Sequence, residues 1–168
     1  TGPSMLKLFG LSDTQAAKYH FCAVVLKEKT LKPDVEGFPL LESDDGRIFL
    51  EFQGYPDPLI RQRLMAEVFL GCVNEKYTGQ VMAGIVYTEE KYQQAALPLN
   101  SFLGAGKRCQ FQGCLHEVDL SKLKERQLLK IDRKLVILAP FTVSAKLSNA
   151  QLLAKGQEWR EIVTQAFS

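Results

Sequence analysis

Two carboxylates and one amide set the chemistry this chain could perform. Asp34 follows Pro33, and Glu51 opens the triplet Glu51-Phe52-Gln53 further on. Two carboxylates side by side repel, so they are held together by a shared proton or by a hard cation such as Mg²⁺ or Mn²⁺. A cation held this way can acidify a bound water for hydrolysis. Gln53 carries no charge and cannot act as a base; its amide can only donate and accept hydrogen bonds. The plainer reading is structural: Asp34 caps a strand end, and Glu51 pairs with Arg61 or Arg63.

The elements that must position these residues can be read from periodicity. Taken with period two, Arg47 to Gln53 puts Ile48, Leu50 and Phe52 on one face. Arg47, Phe49, Glu51 and Gln53 fall on the other. A segment this rich in Phe, Ile and Leu is expected to be central in a sheet, with Glu51 partly buried. Burying a carboxylate is costly without compensation, so Glu51 needs a partner. Asp34 lies in LKPDVEGFPLL, which reads as the start of the preceding strand. Ser43-Asp44-Asp45-Gly46 then supplies turn formers, with Asp45-Gly46 the hairpin signal. After Gly54-Tyr55-Pro56, Asp57 is a good N-cap with Pro58 at the first helical position. Ile60, Leu64, Val68 and Cys72 give this helix a core stripe, widened by Met65 and Phe69. Its first turns should pass close to the carboxylates. There Arg63 orients Glu51 or binds a phosphate, or else forms a plain surface pair with Glu67 four residues on.

The rest of the chain reads as one domain over residues 5–168. Thr1 to Ser4, ahead of Met5, have the look of a cloning remnant and are left out of the expected fold. Met5 to Ala17 is a short helix, or a helix and a turn, with Ser12 or Asp13 as a candidate N-cap. His20 to Lys29 is the expected first strand. Lys27, Lys29 and Lys32 precede Asp34 and could approach phosphates or form an ordinary solvated edge. Gln80 to Thr88 reads as a central strand, and Glu89 to Asn100 as an irregular crossover. Gly104 to Arg108 lacks the spacing of a phosphate-binding loop and reads as a flexible basic loop. Phe111 to Leu120 is a further strand, followed by a helix over Lys122 to Leu129. Leu135 to Ala139 is strand-like, though a buried helix end fits too. Asn149 to Phe167 is a terminal helix whose apolar stripe packs on the sheet or serves a partner.

Composition excludes little. The 168 residues are 46% hydrophobic and carry a net charge of +2, too small to argue nucleic-acid binding alone. No long apolar run and no leader pattern is present, so the expectation is a soluble, unexported, cytoplasmic protein with no membrane association. Four cysteines without a close pair read as reduced thiols. His20-x-Cys22 and Cys114-x-His116 could share a zinc ion if their strands were neighbours; otherwise they are small buried residues and incidental histidines.

Pro33-Asp34, Glu51-Phe52-Gln53 and the helix with Arg63 and Glu67 together resemble the PD-(D/E)XK nuclease superfamily. Within it, the chain resembles the bacterial recombination-promoting nuclease and transposase family, whose members carry Glu-x-Gln. RLMAEVF (Arg63 to Phe69), Tyr19-His20-Phe21 with LKEKTLK, and Leu115-His116-Glu117-Val118-Asp119-Leu120 extend the likeness over Tyr19 to Leu120. The resemblance implies a restriction-endonuclease-like α/β fold: a mixed central sheet flanked by helices, an αβββαβ core, with a C-terminal helix added. It implies that Asp34, Glu51 and the Phe52 carbonyl bind Mg²⁺ or Mn²⁺, that Gln53 completes the catalytic set, and that Glu67 supports it. Lys32, Arg61 and Arg63 would meet phosphates. The implied activity is metal-dependent DNA hydrolysis, linked to recombination or transposition, and a homodimer would suit cutting both strands. Two other readings stay open: an inactive relative that binds nucleic acid or a protein, and a zinc-stabilised structural protein.

Overall fold

The computed structural model describes residues 2–24, 38–43, 46–99, 113, 115–143 and 146–168. Five strands form one mixed sheet: β1 (His20–Val24), β2 (Phe38–Ser43), β3 (Gly46–Gln53), β4 (Val81–Tyr87) and β5 (Leu115–Asp119). Their spatial order is the order of the chain. β1, β2 and β3 form an antiparallel meander, whereas β3, β4 and β5 run parallel. The expected central strand is therefore the middle one, and its alternating pattern serves two cores. Ile48 and Leu50 join Val86, Met5, Leu6 and Leu128 on one face. Phe49 joins Ile85, Tyr87, Ile60 and Leu64 on the other. Phe52 departs from its expected face-mates: at the end of β3 it is 42% exposed.

The β2–β3 hairpin signal holds where it can be seen, with Ser43 paired to Gly46. Gly46 has φ of +146°, and a Cβ there would stand 2.9 Å from the Gln80 carbonyl oxygen. That close approach is what lets the Gln80 carbonyl accept the Arg47 N–H at 2.9 Å, starting the β3–β4 pairing. Glycine is thus needed for both its backbone freedom and its missing side chain.

Among the described residues, six α-helices accompany the sheet. α1 (Gly2–Leu8) begins three residues ahead of Met5, so Gly2, Pro3 and Ser4 lie inside the fold and Ser4 is buried. α2 (Asp13–Ala16) starts at a capping box: Ser12 Oγ accepts from Gln15 N–H, and Gln15 Oε1 accepts from Ser12 N–H. α3 (Ile60–Asn74) starts later than expected. Asp57 Oδ1 accepts the Leu59 N–H at 2.9 Å, so Pro58 and Leu59 form a turn ahead of the helix. Ile60, Leu64, Met65 and Val68 face the core, but Phe69 is 51% exposed and does not widen the stripe.

Later elements correct the sequence reading more often. A short α4 (Glu90–Ala95) replaces the irregular crossover. Asp119 ends β5 by accepting the Ser121 N–H, and a 3-10 turn over Leu120–Lys122 leads to α5 (Glu125–Ile131). The run expected to be strand-like lies in a 3-10 helix, Arg133–Thr142, whose first turn is capped by Asp132. Leu135, Val136, Leu138 and Ala139 are buried there at helical spacing. α6 (Asn149–Ala166) packs on that 3-10 helix and not on the sheet, because α5 and the 3-10 helix already cover that face. No helix among the described residues is long and apolar enough to cross a membrane. The Gly46→Ala variant should lose about 1–3 kcal/mol of stability in denaturant unfolding, since any Cβ meets both a strained φ and a backbone oxygen; wild-type stability would contradict this account of the hairpin.

Candidate active site

The site is built where the end of β3 meets the first turns of α3. β3 presents Glu51, the loop after it presents Asp57, and α3 presents Arg63 and Glu67. The Arg63 guanidinium gathers all three acids. Its Nη2 is 3.4 Å from Glu51 Oε1 and 3.1 Å from Asp57 Oδ2, and its Nη1 is 3.5 Å from Glu67 Oε1. Arg63 Nε also donates to Asp57 Oδ2 at 3.3 Å. The partner that burial demanded for Glu51 is therefore, among the described residues, Arg63 and not Arg61.

One cation cannot neutralise three acids, and burial decides which acid gives way. The Glu67 side chain is only 5% exposed. Burial pushes its carboxyl up to about 8, with Arg63 pulling the other way and Glu51 adding repulsion. Glu67 is thus mostly protonated at neutral pH, which eases the cost of its Oε2, a buried oxygen without a hydrogen-bond partner. Burial also raises Glu51, opposed by Arg63. Burial works against the charge on Arg63, but Glu51, Asp57 and Glu67 more than offset it and hold the guanidinium protonated.

Gln53 sits two residues beyond Glu51 on the same strand and is fully buried. Its Nε2 donates to the Tyr55 carbonyl at 2.5 Å, while Oε1 has no partner. The Gln53 carbonyl accepts from Thr88 N–H at 3.1 Å, on the β4 side. Successive carbonyls of a strand point to opposite edges, so that of Phe52 points to the β2 side. Among the described residues the β2–β3 pairing stops at Leu40 with Phe49, short of Phe52. Glu51 Oε2 likewise has no partner among the described residues. The β3 end therefore offers two hard oxygen donors, the type Mg²⁺ and Mn²⁺ select. Among the described residues no group of three His, Cys, Asp or Glu could hold a metal; Asp34 and Lys32 lie outside them.

Arg61 stands apart from this cluster. It makes a two-pronged pair with Glu117 on β5, Nε to Oε1 at 2.9 Å and Nη2 to Oε2 at 3.1 Å. Its Nη1 donates to the Ala96 and Leu97 carbonyls. Tyr87 donates to Glu117 Oε1 at 2.6 Å, and burial and that bond raise its phenol well above the ordinary range. Glu51, Ile85 and Glu117 occupy one row across β3, β4 and β5. The sequence reading missed this second cluster, and it missed that Asp57 serves Arg63 as well as its own turn. Burial of Glu67 had a signal: it lies seven residues after Ile60, on the core stripe. The zinc alternative loses its condition, because β1 with His20 and β5 with His116 are opposite edges of the sheet. His116 instead meets the Phe9 ring edge-on.

A family model described as "Protein of unknown function (DUF2887)" matches residues 1–165. No curated protein and no solved structure matches the chain.

The Glu67 shift has a definite sign. The folded state holds the proton up to about pH 8, while an ordinary glutamate releases it near 4.5. Between those values the folded state binds more protons than the unfolded one, so stability falls as pH rises, by up to about 1.4 kcal/mol per pH unit. Urea unfolding across that window should show the decline in wild type and a flatter, higher profile in Glu67→Gln. Parallel profiles would contradict a protonated Glu67.

Proposed function

The chain belongs to the family of proteins of unknown function DUF2887, and we propose that it is a divalent-metal-dependent DNA endonuclease with a restriction-endonuclease-like core. The observation that carries this reading is Glu51 at the end of the central strand, with Oε2 unpartnered among the described residues and the Phe52 carbonyl turned to the side of β2, the strand that Asp34 precedes in the chain. The β2–β3 pairing ends at Leu40 with Phe49; continued in the same register it would set Phe38 opposite Glu51. Asp34 precedes Phe38 by four residues, a tether of at most about 14 Å. With the four-residue α2 between α1 and β1 set aside, the element order α1, β1, β2, β3, α3, β4 supports the same reading, since it follows the αβββαβ pattern.

In this reading Asp34, Glu51 and the Phe52 carbonyl would hold Mg²⁺ or Mn²⁺. The cation would lower the pKa of a water and offset charge on the scissile phosphate. Arg63, bonded to Glu51 Oε1, fixes the carboxylate and would leave Oε2 available to a cation. Asp57 and Glu67 keep Arg63 from swinging away. Water adds across a P–O bond, the backbone oxygen leaving with a proton. Gln53 cannot take the proton from that water, and its role is confined to orientation. Lys32 would meet a phosphate, while Arg61 could do so only by leaving Glu117. A link to recombination or transposition, and a homodimer that cuts both strands, belong to this proposal as well.

A second reading, an inactive nuclease-fold module that binds nucleic acid or a protein, has one observation in its favour. The Gln53 amide is fully buried and engaged by Tyr55, where an active site would want it near water. Supercoiled plasmid incubated with Mg²⁺ or Mn²⁺ separates the two. The nuclease reading expects metal-dependent nicking that drops roughly 100-fold or more in Asp34→Ala and Glu51→Ala with the fold intact. Undiminished nicking by Asp34→Ala would overturn it, and salt-dependent DNA binding without cleavage by wild type would select the second reading.

A further inference from the structure

Residues 122–134, KLKERQLLKIDRK, carry six of the chain's 21 basic residues and only two acids. Both acids are neutralised by cations from elsewhere in the fold. Glu125 takes Lys155 of α6 at 2.8 Å, and Asp132 takes Lys7 of α1 at 2.6 Å. Lys122 is paired with Glu90 and Asp119. The remaining cations keep their charge uncompensated. Arg126 and Lys130 are exposed and have no acid partner among the described residues. Arg133 donates to the neutral Gln165, and Lys134 lies over the Phe167 ring.

Lys130 lies in the last turn of α5, where a cation favours the helix, but Arg126 in the first turn has no such benefit. Leu128 is the buried residue of α5. Arg126 and Lys130 lie two residues to either side of it, one turn apart on the outer face, where two like charges are unfavourable. Local acids that would relieve them face inward to Lys155 and Lys7. A surface with its own counter-charges turned away is suited to an external polyanion.

Its place in the fold fits the candidate active site. Gln53, Tyr87 and Asp119 form one row at the C-terminal ends of the three parallel strands. The basic segment begins three residues after Asp119. β5 lies two strand spacings, about 10 Å, from β3. Glu51 is on the sheet face covered by α3, and Leu128 is in the core on the other face. A single duplex reaching both would have to span the two layers. We infer that the outer face of α5 and the start of the 3-10 helix, with Arg126, Lys130 and Arg133 at its centre, binds the phosphate backbone of duplex DNA flanking the bond to be cut. This inference rests on the reading of DNA as substrate.

The test is fluorescence anisotropy of a labelled duplex in EDTA, which measures binding apart from cleavage. Wild type should bind with a steep salt dependence. In Arg126→Gln/Lys130→Gln the affinity should drop about 10- to 100-fold, and the slope of log K against log salt should shrink by about two. Arg126→Lys/Lys130→Arg should bind nearly as wild type, as should Arg160→Gln on α6. Equal affinity and slope in the double glutamine variant would overturn the inference. Loss of binding to anionic vesicles, with duplex binding unchanged, would overturn it in favour of a membrane surface. Plasmid nicking lost in Glu51→Ala but unaffected duplex binding in the double variant would remove the basic surface and leave the nuclease reading standing. The reverse pattern, weakened binding but no nicking by wild type, would remove the nuclease reading alone.

Discussion

The structure around the candidate site depends on one guanidinium. Arg63 ties the end of β3, the loop after it and the first turns of α3 through Glu51, Asp57 and Glu67. Arg63 is 31% exposed, so removing one partner should cost less than the about 3–5 kcal/mol typical of a fully buried pair. A well-packed apolar replacement of the whole cluster would often cost nothing. The cluster is therefore better explained by position than by stability. It fixes where the Glu51 oxygens point, and it does so with an acid excess that Glu67 relieves by keeping its proton.

The same end of the sheet collects the other polar features. β3, β4 and β5 run parallel, so Gln53, Tyr87 and Asp119 finish together. Ligands of open α/β sheets are commonly bound beyond the carboxyl ends of strands. Here that end holds the Glu51 carboxylate, the Phe52 carbonyl and the root of the basic segment. On the neighbouring strand Glu117, Arg61 and Tyr87 form a closed network that joins α3 to β5. The two clusters share a row of the sheet but serve different ends, one open to an added cation and the other with Arg61 fully engaged.

Much of the frame was legible because it follows from period and turn chemistry. Alternation in Arg47 to Gln53 separated Ile48 and Leu50 from Phe49, and the stripe from Ile60 to Val68 marked the core face of α3. The need of Glu51 for a partner was also legible, but which partner was not. The ion pair with Arg63 is the plainer of the two readings, and Asp34 lies outside the described residues. Other features escaped for physical reasons. Asp57 carries two duties, so its capping signal misplaced the helix start by two residues. A short apolar run such as Leu135 to Ala139 suits strand and helix alike until its neighbours decide. The pairing of Arg61 with Glu117 depends on a parallel register between distant strands, which no local pattern encodes. Burial of Glu67 was readable from its spacing to Ile60, against the habit of placing glutamate in water.

The account turns on a cation bound at the end of β3. Titrating Mn²⁺ into the ¹⁵N-labelled protein reads this directly, since the paramagnetic ion broadens nearby amide signals. The account predicts broadening centred on Phe52 and Gln53, abolished in Asp34→Asn while the remaining spectrum is unchanged. No broadening at those amides, or the same broadening without the Asp34 carboxylate, would contradict it.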